Sequence, residues 1–142
     1  MLTDLSRGNI MAKFEVTFED VGFTSDPGVA EAELTEAEAE SLTAAAREEG
    51  TLPAHVLAVV RGYATPDDSV YPGGKDAEGD IKAFVSVTLL VEADGEEAAS
   101  EPPERLLAAL AEIMGGGRLD LERSWEAMDC TEAAMAPTRG GI

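Results

Sequence analysis

The chain has 142 residues, of which 29 are aspartate or glutamate and 10 are lysine or arginine, so its formal net charge is −19. This length is enough for one domain with a buried core, and a hydrophobic content of 44% excludes a disordered acidic tail. The negative charge argues against direct binding to nucleic acid or to an anionic membrane, whereas a basic protein partner remains compatible with it.

The N-terminal part of the chain predicts a strand followed by a helix. Apolar and polar residues alternate strictly from Phe14, which is typical of a strand with one buried face, and we place this strand near 13–21. A helix is predicted over 36–49 because Thr35 and Glu38 have the spacing of a capping box.

The remainder of the chain predicts two strands, a second helix and a last strand. The strands near 55–63 and 81–92 are rich in apolar and β-branched residues, and turn-forming residues separate them. A leucine stripe at helical spacing predicts a helix near 102–114. Renewed alternation predicts a strand near 118–127.

The predicted element order is βαββαβ, which with right-handed crossovers indicates an α+β fold of the ferredoxin-like kind. This arrangement has a four-stranded antiparallel sheet with both helices on one face. We expect an N-terminal arm over 1–10, a single α+β domain over 11–130 and a C-terminal tail over 131–142. Met11 is an alternative start, because the patterned sequence begins there.

The two middle strands carry large apolar residues on the sheet face that the helices leave open. Alternation places five such residues together: Leu57, Val59, Tyr63, Phe84 and Leu90. Contiguous exposed apolar patches are usually interaction sites, so these residues are the predicted protein interface. The alternative is that residues 64–80 or 1–10 fold over this face.

Candidate chemistry is sparse in this sequence. His55 is the only histidine and has no second histidine or cysteine partner for a metal site or a catalytic triad. Cys130 stands among acidic residues, which is not the electropositive surrounding of a reactive cysteine. The acidic loop at 76–80 lacks the spacing of a calcium loop, and the glycines at 73–74 do not form a P-loop. We therefore predict no catalytic residue, metal ligand or cofactor.

The sequence favours a non-enzymatic interaction or structural protein that acts through protein–protein contacts. It would work as a homo-oligomer or as a subunit of a larger assembly such as a virion shell. One alternative is an acidic inhibitor that mimics nucleic acid toward a basic DNA- or RNA-binding partner. A second is a small-ligand regulator or enzyme that uses the open sheet face. The same acidity is also typical of a GC-rich genome or a salt-adapted host, so charge alone assigns no partner.

The expected location is the cytoplasm or a virion. The first residues have no apolar core of the kind found in a signal peptide, and the single cysteine excludes an intrachain disulfide. No stretch reaches the length of about 18 apolar residues expected of a membrane helix.

Overall fold

The sheet is built on strand β1 (Ala12–Thr24) and its neighbour β4 (Ile81–Ala93), which pair antiparallel along all 13 residues of each strand. The structure is a computed structural model and describes residues 11–67, 69, 75 and 78–133. Every second residue of β1 from Phe14 is buried, so the alternation read from the sequence becomes one dry face and one wetter face.

Eight further elements complete the described part of the chain. The other strands are β2 (Ala32–Glu33), β3 (Val56–Pro66), β5 (Asp120–Leu121) and β6 (Glu126–Glu132). The helices are α1 (Pro27–Ala30), α2 (Glu36–Glu49), α3 (Glu96–Ala99) and α4 (Glu104–Gly115). The sheet order is β2-β3-β4-β1-β5, and β6 also pairs with β1.

The predicted α+β class with an antiparallel sheet is confirmed. The predicted counts of four strands and two helices are wrong, because the described residues form six strands and four helices. The ferredoxin-like order is not confirmed for this larger sheet. The additional elements are short, with two to four residues in each of β2, β5, α1 and α3, and such short segments have no sequence periodicity that could predict them.

Local sequence accounts for the two long helices. Helix α2 begins with the predicted capping box, in which the Glu38 amide donates to the Thr35 hydroxyl at 3.1 Å and the Glu38 carboxylate accepts from the Thr35 amide at 2.8 Å. Helix α4 begins two residues later than predicted, after Pro103 at its N-cap. Its leucines are buried, with Leu107 and Leu110 both within the core, whereas Ile113 is exposed.

Strand β3 carries two bulges that change which residues face the core. Its register against β4 shifts between Val56 and Ala58 and again between Val59 and Arg61. An added residue on one strand moves the side chains that follow it to the opposite face of the sheet. Strict alternation therefore does not predict which residues of β3 face the core. The prediction that Val59 faces outward is therefore wrong. Its side chain is buried in the core, and its amide donates to the Thr43 hydroxyl of α2 at 2.9 Å.

The predicted last strand over 118–127 is instead two strands, β5 and β6, separated by a turn. Arg123 in this turn has a φ of 65°, the left-handed region that non-glycine residues rarely adopt. The buried carboxylate of Asp20 accepts from the amides of Arg123 at 2.9 Å and Ser124 at 3.2 Å. These hydrogen bonds connect the turn to β1.

The core lies between the sheet and the two long helices. Its largest fully buried apolar side chains are Phe18, Leu89, Leu107, Val16, Val85, Val87 and Val91. Gly22 allows the chain that follows α4 to lie directly on β1, because a Cβ at Gly22 would be only 2.8 Å from Leu119 Cδ1.

Some predictions fall outside the described residues. The N-terminal arm over 1–10 does, as do residues 134–142 of the predicted tail and most of the segment between β3 and β4. Within the described part of the chain, β6 continues to Glu132, two residues past the predicted domain end. None of the helices found there is sufficiently long and apolar to cross a bilayer.

Candidate functional site on the open sheet face

The candidate site is the sheet face opposite α2 and α4, here called the open face. Strand pairing aligns its outward side chains in rows across β3, β4 and β1. Along β4 these side chains are Lys82, Phe84, Ser86, Thr88 and Leu90, and along β1 they are Glu15, Thr17, Glu19, Val21 and Phe23. Strand β3 contributes Ala58, Arg61, Tyr63 and Thr65.

One end of the open face is apolar and aromatic, and we call Val21, Phe23, Tyr63 and Phe84 the aromatic end. Val21 lies directly opposite Phe84, and Tyr63 is one row away on β3. Side chains in such cross-strand and diagonal positions are within contact range. Phe23 is 36% exposed and Tyr63 is 42% exposed, so large apolar side chains here remain in contact with water.

The middle of the open face is a closed network of polar side chains. The Thr17 and Thr88 hydroxyls are 2.8 Å apart, and the Ser86 hydroxyl donates to the Glu19 carboxylate at 3.2 Å. Thr88 and Ser86 are buried although they lie on the outward side. These side chains of β1 and β4 are hydrogen-bond partners of one another. The middle of the open face is therefore polar, with its hydrogen bonds already made within the sheet.

An ion pair bridges the same region from one side of β4 to the other. Arg61 Nη2 on β3 lies 3.5 Å from Glu15 Oε1 on β1, above the row that holds Thr88. Both side chains are about half exposed, so the pair contributes little to folding stability and remains available to a partner.

The structure brings together only part of the predicted interface. Tyr63 and Phe84 are neighbours at the aromatic end, whereas Leu90 lies six positions further along β4, roughly 20 Å away at 3.3 Å per residue. Leu57 is at a bulge, half-buried, and its carbonyl accepts from Arg47 Nη2 at 2.8 Å. Val59 is on the other side of the sheet.

Two residues of the aromatic end, Val21 and Phe23, were not predicted. Strand β1 was expected to end near Val21, and its outward residues were interpreted as an acidic face. The strand in fact continues through Thr24. Continuing the alternation of Glu15, Thr17 and Glu19 by two more steps would have identified both residues.

Lys82 links the aromatic end to the described part of the β3–β4 connection. Its ammonium lies 6.0 Å from the centre of the Phe84 ring and 3.5 Å from Asp67 Oδ2. The Ser69 hydroxyl and amide both donate to Asp67 Oδ1, at 2.6 Å and 3.1 Å. These Ser69 hydrogen bonds, with a further contribution from Lys82 and against an opposing effect of burial, lower the pKa of Asp67 below its usual value.

Charge is unevenly distributed over the two layers of the molecule. On the open face, Arg61 and Lys82 lie on the β3–β4 side, whereas Glu15, Glu19 and Asp129 lie on the β1–β6 side. The exposed surface of α2 is strongly acidic, with Glu36, Glu38, Glu40, Glu48 and Glu49. The open face is therefore less acidic than the helix layer and has charge of both signs.

The residues considered for chemistry lie apart from one another. His55 is half-buried just before β3, and Cys130 packs against the core from β6. Among the described residues, no three histidine, cysteine or acidic side chains are grouped so that they could hold a metal ion. The glycines at 73–74 and residues 76–77 lie outside the described residues.

No protein-family model, curated protein or solved structure significantly matches this chain.

Proposed function

We propose that this chain is a non-enzymatic interaction protein that self-associates through its open face, with a second copy as its partner. The observation that carries the proposal is the aromatic end, where Phe23 and Tyr63 are substantially exposed beside Val21 and Phe84. Exposed apolar side chains that cluster on one face typically mark an interface, whereas scattered ones do not.

Charge favours a second copy as the occupant. A two-fold axis parallel to the strands would place the β3–β4 side of one copy over the β1–β6 side of the other. With the axis between β4 and β1, Arg61 would then face Asp129 of the other copy and Lys82 would face Phe23 of the other copy. Each contact occurs twice, which is the self-complementary pattern of a two-fold interface. The acidic α2 helices would point away from each other, which keeps the like charges of the two copies apart.

The open face is also large enough for this role. Four strands at about 4.8 Å spacing and five rows at about 6.6 Å give an area of roughly 600 Å². Stable complexes bury about 800 Å² per partner, so the open face with its rim is close to the usual size.

The test compares the mass in solution of the wild type with that of two variants at the aromatic end. We expect wild-type sedimentation to show a concentration-dependent oligomer, and Phe84→Glu and Phe23→Glu to be monomeric because each would bury an unpaired charge at the interface. The matched control is Ile113→Glu, which alters an exposed apolar residue of α4 outside the open face. Circular dichroism checks that every variant is folded.

Three outcomes would contradict self-association through the open face. These are a wild type that is monomeric up to millimolar concentration, folded variants that assemble as the wild type does, and dissociation caused equally by Ile113→Glu. A monomer that competes with DNA for a basic protein, in a salt-dependent manner, would support the acidic mimic instead.

We propose that the biological role of this chain is that of an assembly subunit, located in the cytoplasm or in a virion. The support is the single cysteine and the apolar cluster on an otherwise acidic surface. We also retain the ferredoxin-like arrangement as a proposal for the four longer strands, supported by the antiparallel pairing of β3, β4, β1 and β6.

A further inference from the structure

Three arginines line one groove on the helix side of the sheet, beside β5, where Asp120 is the strand partner of Phe23. The groove runs between α4 and the chain from Gly117 to Trp125, and it consists of two cavities of about 350 and 250 Å³ that share Ala108 and Arg123. Arg118 lines the larger cavity and Arg105 the smaller. Lysine and arginine together number only 10 in this chain of net charge −19, and three of them lie in this groove beside three acidic side chains, Glu104, Glu112 and Asp120.

The smaller cavity contains two guanidinium groups without partners. Arg105 and Arg123 both line it, and neither side chain makes a hydrogen bond or ion pair with any residue that the structure describes. Arg47, Arg61 and Arg118 do have such partners. In a chain with 29 acidic residues, two unpaired arginines at one cavity leave their charge available to a ligand.

Two further donors lie at the same cavity. Trp125 lines it and is 5% exposed, and its buried Nε1–H has no acceptor among the described residues. Glu104 and Arg105 belong to the first turn of α4, which has no side-chain cap. A buried donor without an acceptor is rare, and the amides of an uncapped helix N-terminus favour a negative charge.

The backbone holds Arg123 in position at this cavity. Its left-handed conformation is stabilised by Asp20, whose carboxylate accepts the Arg123 amide. Unfavourable backbone conformations that persist are typically overdetermined by their surroundings and are frequent at functional sites. Asp20 is thus a positioning residue for the guanidinium of Arg123.

We propose that this cavity is a binding site for the oxyanion of a small ligand, a carboxylate or a phosphate ester. The oxyanion lies between the guanidiniums of Arg105 and Arg123, and it accepts a hydrogen bond from Trp125 after a rotation of the indole that brings its buried Nε1–H to the cavity. The larger cavity beside it, where Arg118 is paired with Asp26 at 2.7 Å, accommodates the remainder of the ligand. Their combined size is within the usual range for small-molecule sites. Glu104 is the acidic side chain at the smaller cavity, and its charge weakens anion binding there.

The test uses the fact that Trp125 is the only tryptophan. Inorganic phosphate and citrate are titrated separately into the full chain, with sodium chloride at matched ionic strength as the reference. We expect a saturable change in tryptophan fluorescence and a downfield shift of the single indole N–H signal in NMR spectra. A preference for phosphate indicates a phosphate ester, and a preference for citrate indicates a carboxylate ligand.

Variants connect this signal to the site. Arg105→Gln and Arg123→Gln should each weaken anion binding about tenfold, or about 1.4 kcal/mol. Glu104→Gln should strengthen binding several-fold because it removes a like charge. Arg47→Gln is the matched control, since Arg47 lies on α2 and donates a hydrogen bond to the Leu57 carbonyl. This variant should bind the anion as tightly as the wild type does.

Three results would overturn the proposal: no saturable response beyond that of chloride, wild-type affinity in the Arg105→Gln/Arg123→Gln double variant, or equal weakening by Arg47→Gln. None of these measurements depends on the oligomeric state, so this site and self-association through the open face fail or succeed separately.

Discussion

Replacement of Asp20 by alanine tests how the structure holds the turn between β5 and β6. The Asp20 side chain is 3% exposed and accepts four hydrogen bonds. Two come from the distant amides of Arg123 and Ser124, one comes from the Ser124 hydroxyl at 3.1 Å, and one comes from the adjacent Val21 amide at 2.8 Å. Asp20→Ala removes all four acceptor contacts in one step.

The expected loss in the free energy of unfolding is about 2–3 kcal/mol. A buried donor that loses its partner costs about 1–3 kcal/mol, and two distant amides are affected. Ser124 and Arg123 are exposed, so water can replace part of the lost hydrogen bonding. The estimate is therefore in the lower half of the range of about 2–6 kcal/mol that two unpaired amides would cost. Without the carboxylate, the left-handed Arg123 is also free to relax from a conformation that costs about 1–2 kcal/mol.

Two measurements check this estimate. Urea unfolding should show a lower midpoint for Asp20→Ala, and amide hydrogen exchange should become faster at Arg123 and Ser124. The matched control is Glu122→Ala, which removes an exposed carboxylate from the same turn and should leave stability within about 0.5 kcal/mol of the wild type. A wild-type midpoint together with unchanged exchange at Arg123 would refute the assignment of Asp20 as the residue that holds this turn.

Two further predictions concern the core and the pH dependence of stability. Leu110→Ala should lower the free energy of unfolding by about 2–4 kcal/mol, because Leu110 is 2% exposed within the core, and an unchanged urea midpoint would contradict its packing. The pKa of Asp67 is lowered by Ser69 and Lys82, so its contribution to stability is present above its unfolded-state pKa and is lost as pH falls through its lower folded-state pKa. Thermal unfolding across acidic pH should show this loss in the wild type and not in Asp67→Asn, and identical pH profiles for the two proteins would argue against it.

The sequence by itself determined the elements whose signals are local. Helix α2 was predicted over its observed length because its capping box acts within a few residues of the helix start, and Gly50 in the left-handed conformation ends the helix where it was expected to end. Strands β1 and β4 were predicted because each has one continuous buried face, which requires strict alternation. These signals were sufficient for the α+β class and for an antiparallel sheet.

The candidate site was predicted only in part. Tyr63 and Phe84 do lie together on the open face, since the alternation of β4 and of the last residues of β3 is regular. Leu90 shares the face with Phe84, but six residues at about 3.3 Å each separate them along β4, a distance that the sequence itself implies and that alternation does not take into account. The arginine groove has no sequence pattern, because Arg105 and Arg123 meet only when α4 packs beside the turn after β5.

Tertiary structure alone decided the facing of Val59 and the division of the last strand. The bulges of β3 place Val59 inward, where its amide donates to Thr43 on the preceding helix α2. The break between β5 and β6 depends on Asp20, about a hundred residues earlier in the chain. Periodicity reports only whether neighbouring residues alternate. An inserted residue or a carboxylate from a distant strand acts through contacts that exist only once the sheet has formed.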